Sequence, residues 1–296
     1  MSAPPLRHDT TAAPILIALV GAALLTAMDA VLKGLSTRYP TVDLVLTRYL
    51  AGALFILPLA LVMRVPRPGP AMLRAHMVRT AIVVVTSFLF YFSLSRLALI
   101  ESVVFTYLAP VFMALLGRAI LGEKVSAATL LAIAVCFGGV LVIAVGKGLG
   151  AGGFRAEAVG VAAALGSAFT YALAMVLLRA RSGADPVVGI VALQSVLAIT
   201  YMGPVSLAIG APAILVDSEW QALLLIGLLG SAGQLAYATA FTRAPAAKIG
   251  TVEYTSFLFA VALGYFFFAE VPTPSALAGG GLIMAGSLIL LLGRKS

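Results

Sequence analysis

The sequence predicts an all-α integral membrane protein of ten transmembrane helices, arranged as two inverted five-helix repeats around a central cavity. Three observations lead to this fold class: an apolar composition, a series of long apolar runs and an internal duplication. Apolar residues make up 62% of the 296 residues, charged residues 10%, and the mean hydropathy is +1.11. Since a soluble domain carries about a quarter charged residues, this chain has too little charge to cover a water-facing surface.

Ten apolar runs reach or approach the length of a membrane span, because a hydrocarbon core about 30 Å thick requires about 20 residues of helix. Proline, glycine or charge marks most breaks between them, whereas the break at 96–101 is mostly apolar. In chain order the runs cover residues 14–36, 42–63, 77–96, 99–121, 125–146, 157–180, 186–209, 220–242, 247–269 and 274–293.

The distribution of Lys and Arg predicts the orientation of these runs. With the N-terminus inside, thirteen of these residues fall on the cytoplasmic side and four on the outer side. Cytoplasmic loops carry the excess of positive charge in membrane proteins. We therefore expect a multi-pass protein of the cytoplasmic (inner) membrane, with both termini in the cytoplasm. Lys33 and Arg48 are the two remaining cations, and both lie within runs.

A shift of 147 residues superimposes the first half of the chain on the second, which predicts repeats at 1–148 and 149–296. The shift moves the fourth run onto the ninth, a displacement of five spans. Because five is odd, the copies must have opposite orientations, a construction typical of secondary transporters. The matched pairs include Arg96 and Arg243, Tyr107 and Tyr254, Glu123 and Glu270, and Gly139 and Gly286.

The same composition argues against several other functions. The net charge of +8 is spread singly or in pairs between apolar runs, which does not favour nucleic-acid binding. His8, His76 and Cys136 are the only histidines and cysteine, and their spacing predicts no metal site. No acid–base or nucleophile constellation lies at membrane depth. We therefore expect neither an enzyme nor a cofactor. A passive channel would need a ring of charges or exposed carbonyls, and the sequence shows neither.

One segment resembles a known family signature. It comprises Tyr107-Leu108-Ala109-Pro110, Gly117, Leu121-Gly122-Glu123-Lys124 and Gly138-Gly139. The chain is similar here to the EamA-type transporters of the drug/metabolite transporter superfamily. The second copy matches more loosely at Tyr254, Gly264, Phe268-Ala269-Glu270 and Gly286, with Phe257 in place of Pro110. The resemblance implies export of small metabolites, prominently amino acids, without ATP hydrolysis. It also implies a cavity surrounded by helices 1–4 and 6–9.

Charged residues inside spans are candidates for gating or coupling, because each costs roughly 2.5–3.5 kcal/mol on insertion scales. Asp29 and Lys33 share one face of the first run, and Arg48 lies at a similar depth in the second. We expect Asp29 to pair with Arg48, with Lys33 competing one turn outward. The pair either locks two helices together or acts in gating, with Asp29 titrating or the pair breaking as the outer gate opens. The third alternative is that the side chains never meet.

Polar side chains within the spans are candidates for the cavity wall, although a single mid-span tyrosine also fits simple helix packing. Glu253 has two interpretations. It either attracts a substrate ammonium group or a proton, or pairs with Lys248 or Arg79 at the cytoplasmic surface. The complete set of candidates is Tyr91, Tyr107, Tyr171, Gln194, Gln234, Tyr237, Glu253 and Tyr254.

Together these features predict a secondary transporter that exports small metabolites, amino acids foremost, by alternating access. A drug exporter or a nucleobase or nucleotide-precursor exporter is the alternative within this fold. The expected partners are the small-molecule substrate and the lipid bilayer. Glycine-rich faces on the fifth and tenth runs favour scaffold packing, so a monomer or a weak homodimer is expected.

Overall fold

The computed structural model describes residues 13–121, 127–146, 154–179, 185–210, 219–243, 252 and 255–292. These residues are helical almost throughout, and no strand occurs among them. The helices are α1 (Ala13–Leu35), α2 (Thr41–Val62), α3 (Pro70–Leu94), α4 (Leu99–Thr106), α5 (Ala109–Leu121), α6 (Ala127–Gly146), α7 (Phe154–Arg179), α8 (Val187–Ile209), α9 (Trp220–Arg243), α10 (Ser256–Phe268) and α11 (Pro274–Leu292).

Many of the described helices are long enough to span a membrane. Six helical segments are long and apolar enough to cross a bilayer, one of them formed by α4 and α5 together. The apolar stretches 130–143 and 256–268, in α6 and α10, are shorter. The all-α membrane class is thereby confirmed, while the number ten and the inverted arrangement of the repeats stay predictions.

The fourth apolar run is divided into two helices rather than one. Tyr107 and Leu108 bond to carbonyls only three residues back, at Val104 and Phe105. Pro110 explains the break, because proline has no N–H to donate and its ring collides with the carbonyl four residues earlier. That carbonyl belongs to Thr106, the last residue of α4.

Helix α3 begins at Pro70, seven residues before the predicted start at 77. Proline fits the first position of a helix, because its missing N–H would have no helical partner there. The first turns carry Arg74 and His76, which lower the average hydropathy and hid the true start. As a consequence, Arg79 lies well inside the helix, with only 6% of its surface exposed, and not at the cytoplasmic surface.

Helices α6 and α11 pack tightly against each other in opposite directions. The sulfur of Cys136 donates to the carbonyl of Ile283 at 3.4 Å. A Cβ atom added to Gly139 would lie 2.5 Å from the Gly279 carbonyl oxygen, so only glycine permits this approach. At the other end of the contact, Gly286 approaches the carbonyl of Ala132. Contact positions rise along α6 as they fall along α11, which makes the pair antiparallel.

The remaining helices form the interior of the bundle. Helix α1 packs against α9 and α10, α2 against α8 and α9, α3 against α7 and α8, and α4 against α7 and α10. The largest cluster of buried apolar residues extends over nearly all of these helices. At one end of the bundle α1, α3 and α10 terminate close together, as shown by contacts among their last residues. The predicted orientation places this end outside, and we name it the outer end.

Candidate functional site

A polar cluster surrounds Arg48 in the interior of the bundle. Its guanidinium donates from Nη1 to Ser87 Oγ at 3.0 Å, and that hydroxyl also bonds the Tyr49 hydroxyl at 2.9 Å. The guanidinium lies 5.3 Å from the ring centre of Tyr49 and 5.9 Å from that of Tyr91, within cation–π range. We call Arg48, Tyr49, Ser87 and Tyr91 the central cluster. It fixes a cation among aromatic faces on α2 and α3.

Asp29 reaches the central cluster from α1, where it is half-buried. It interacts electrostatically with Arg48, but among the described residues no ion pair within 4 Å joins them. The structure therefore corresponds to the third alternative, in which the two side chains do not meet, and a role in gating stays a prediction. The contacts that the guanidinium makes are instead with Ser87 and two tyrosine rings. Opposite charges thus lie near one another without touching.

A small cavity of about 20 Å³ adjoins the central cluster, enough for roughly one water molecule. It lies between α2, α8 and α9, and polar side chains contribute much of its wall. Gln234, a predicted cavity residue, is one of them. The lining residues are Arg48, Tyr49, Gly52, Ile56, Val191, Ser195, Gly230, Ser231 and Gln234.

Arg79 is a second interior arginine, which the sequence analysis assigned to the cytoplasmic surface. It donates from Nη1 to Gln194 Oε1 at 3.1 Å, and both side chains are buried. Gln194 follows Val191 by three residues and precedes Ser195, so it shares one helix face with two residues of the cavity wall. The Gly69-Pro70 dipeptide was the signal that would have placed Arg79 inside the membrane.

The other predicted cavity residues are distributed unevenly. Tyr91 belongs to the central cluster, and Tyr171, on α7, interacts electrostatically with Arg79. Tyr107 is buried at the break between α4 and α5. Tyr237 packs against Gly21 of α1, where an added Cβ would lie 2.8 Å from its ring. It does not line the 20 Å³ cavity. Glu253 and Tyr254 lie outside the described residues.

Lys33 does not compete for Asp29 but forms a network at the outer end. Its ammonium group lies 2.9 Å from Glu270 Oε1 and donates to the carbonyls of Leu94 and Leu97. The other oxygen of Glu270 accepts the backbone N–H of Leu99 at 2.8 Å. We call these contacts the outer network. It ties α1 to α10 and to the connection between α3 and α4, beside an open cleft of about 380 Å³.

The end of α10 explains how Glu270 reaches Lys33. Ala269 adopts a left-handed conformation with φ of 53°, and the N–H of Glu270 bonds back to the carbonyl of Gly264. This left-handed turn caps the helix and reverses the chain. Gly264 leaves room for the carboxylate, because a Cβ there would lie 3.0 Å from Glu270 Oε2. The pairing of Glu270 was missed since nothing in the local sequence indicates it.

At the opposite end of the bundle, α3 is tied to α8 and to the residues that precede it. His76 Nε2 lies 3.2 Å from Asp185 Oδ2, and both side chains are largely buried. The Tyr201 hydroxyl donates to the carbonyl of Met77 at 3.1 Å. The interior site therefore lies between two sets of interhelical contacts, one at each end of the bundle.

Comparison with known proteins gives a consistent result across the chain. The sequence model of the EamA-like transporter family matches residues 12–145 and 158–292. Two curated relatives, named pseudopaline exporter CntI in Pseudomonas aeruginosa strains UCBPP-PA14 and PAO1, are each 27% identical over 299 residues. Each alignment covers 97% of this chain and 99% of the relative. A solved crystal structure with 16% identity has a TM-score of 0.64 over 96% of this chain and 99% of that one, which shows the fold alone.

Proposed function

Because the chain belongs to the EamA-like transporter family, we propose that it exports small amino-acid-like metabolites across the cytoplasmic membrane by alternating access. Family membership makes it a multi-pass membrane transporter and not an enzyme. The two curated relatives are exporters by name, which favours the outward direction here. The identity of the substrate has to be argued from the interior site.

The observation that carries the substrate proposal is the separation of Asp29 from Arg48. An amino acid is a zwitterion, so its carboxylate and ammonium groups match this arginine and this aspartate. The guanidinium fork binds a carboxylate through two parallel hydrogen bonds, a geometry that an isolated ammonium group does not offer. Binding of a zwitterion between the two charges would satisfy both, and the tyrosine rings of the central cluster would exclude water around them.

Contacts between α6 and α11 support the proposed inverted repeats at 1–148 and 149–296. Cys136 and Ile283, which are hydrogen-bonded, are 147 residues apart, the same distance as the sequence repeat. The repeat also relates two glycine contacts. Gly139 contacts Gly279, and their equivalents in the other half, Gly286 and Ala132, contact each other as well. A two-fold axis beside Cys136 would generate both contacts from one. Inverted repeats of this type place a substrate site between two halves that rock against each other.

Alternating access is supported by the contacts at both ends of the bundle. The outer network and the pair of His76 with Asp185 are formed together, and the cavity between them holds about one water. A substrate larger than water therefore requires one end to open, which must break the contacts at that end. We propose that the outer network opens for release of the substrate and that the pair of His76 with Asp185 opens for its loading from the cytoplasm. Both chain termini then face the cytoplasm.

Uptake of radiolabelled amino acids into proteoliposomes, with and without a pH gradient, tests the proposal. We expect saturable accumulation of at least one small amino acid, and at least a tenfold lower initial rate at low substrate concentration in liposomes that contain the Arg48→Gln variant at equal protein density. Transport of a nucleobase or a cationic dye in the absence of any amino-acid transport would contradict the substrate and favour the alternative exporter classes. A steady ionic conductance in a planar bilayer would contradict the transporter mechanism.

A further inference from the structure

Arg79 has unused hydrogen-bonding capacity in the interior of the protein. Only 6% of its surface is exposed, and within the described ranges its one hydrogen bond is to Gln194. Its buried Nε finds no partner among the described residues, and neither does the hydroxyl of the adjacent Thr80. Buried polar atoms are satisfied in the great majority of cases, so the unsatisfied Nε of Arg79 indicates a place where a ligand or water binds.

The charge of Arg79 is also uncompensated in the part of the chain that the structure describes. Its electrostatic partners there are Tyr49 and Tyr171, which are neutral phenols at physiological pH. By contrast, Lys33 has the carboxylate of Glu270, and Arg48 has that of Asp29 nearby. A buried cation without a counter-ion is costly, and an anion that binds there removes much of that cost.

Arg79 is connected to the central cluster by short structural links. Its partner Gln194 is adjacent to Ser195 of the cavity wall. Ser87, which accepts a hydrogen bond from Arg48, lies eight residues beyond Arg79 on α3, about 12 Å along the helix axis. Arg79 and the contact of Arg48 with Ser87 therefore lie at successive depths along α3, with Arg79 nearer the predicted cytoplasmic end.

We propose that Arg79, positioned by Gln194, binds a second carboxylate of the transported molecule, so that substrates with two carboxylates are preferred over neutral amino acids. This inference rests on the proposed function, since it adds a second anchoring point to the site formed by Asp29 and Arg48. Such a substrate satisfies Arg48 with one carboxylate and Arg79 with the other. Its ammonium group remains available to Asp29.

L-Glutamate and L-glutamine are the matched probes, because they have nearly the same shape and differ by one charge. In proteoliposomes we expect the KM for glutamate to lie at least tenfold below that for glutamine. Arg79→Gln is expected to raise the glutamate KM tenfold or more and to leave the glutamine KM within about twofold, the change expected from loss of one charge-assisted contact. Arg74→Gln, an exposed arginine on the same helix, serves as the control and is expected to change neither value.

Each outcome separates this inference from the proposed function. Equal KM values for the two amino acids in the unmodified protein, or a parallel loss of both in Arg79→Gln, would overturn the role of Arg79. If Arg79→Gln does not fold, Arg79→Lys keeps the charge but loses the fork, and it is expected to weaken the preference for glutamate over glutamine; an unchanged preference in that variant would overturn the role of Arg79. Failure to transport any amino acid would instead remove the proposed function, and this inference with it.

Discussion

Replacement of Arg48 by glutamine is expected to reduce the kcat/KM of amino-acid transport by a factor of ten to a hundred. The guanidinium is the one interior cation held between two tyrosine rings and a hydroxyl beside the cavity, within the described part of the chain. A hydrogen bond to a charged group is worth about 1.5–3 kcal/mol, which corresponds to this range. Initial rates in proteoliposomes over a range of substrate concentrations measure the effect.

Two companion variants show whether Arg48 acts on the substrate or on folding. Arg48→Lys keeps the charge but loses the fork, so an intermediate loss of kcat/KM is expected. Asp29→Asn removes the proposed ammonium partner. Relative to the unmodified protein, its transport rate is expected to fall by a larger factor than the yield of folded protein falls in Arg48→Lys. Normal transport by Arg48→Gln, or equal losses of folded yield in all three variants, would leave the cluster with only a structural role.

Removal of one partner from the outer network is expected to cause a large loss of stability. Lys33→Met leaves the Glu270 carboxylate, whose side chain is only 19% exposed, without its counter-ion. Breaking a buried ion pair by removing one partner costs about 3–5 kcal/mol. Thermal unfolding in detergent micelles is expected to show a clearly lower Tm for Lys33→Met and for Glu270→Gln.

The pair of Arg38 with Glu219 is a matched control at the same end of the bundle. It has a similar distance, 2.8 Å, but the Arg38 side chain is 59% exposed. Arg38→Gln is therefore expected to change stability by at most about 1 kcal/mol. The double variant Lys33→Met with Glu270→Gln is expected to recover part of the single-variant loss, because no unpaired charge remains. Equal effects at both pairs would contradict a special role for the outer network.

The sequence predicted the interior helices well where one local property decided the structure. Long apolar runs located the spans, and Pro110 lies where the fourth run is divided. Averaged hydropathy failed at the start of α3, because Arg74 and His76 lower it there, although His76 has a buried partner, Asp185, in the folded protein. Arg79 lies within the predicted run, but its contact with Gln194 was not predicted.

Partners of the charged residues were harder to predict, because packing between distant helices selects them. Lys33 and Glu270 are separated by 237 residues, and the left-handed turn at Ala269 brings them together. Asp29 and Arg48 are close in sequence and depth, yet the guanidinium donates to the hydroxyl of Ser87 and forms no ion pair with the carboxylate in the described part of the chain. Candidate charges are thus visible in the sequence, whereas their pairing is not.

A single central site requires the two halves of the chain to have opposite orientations in the membrane, and site-specific labelling tests this directly. In a Cys136→Ala background, single cysteines at Lys124 and Val271 occupy positions related by the 147-residue repeat. A membrane-impermeant maleimide applied to right-side-out vesicles is expected to label Val271→Cys at once and Lys124→Cys only after permeabilisation. Labelling of both positions from the same side of the membrane would contradict inverted repeats, and with them the single central site that Arg48 and Asp29 are proposed to form.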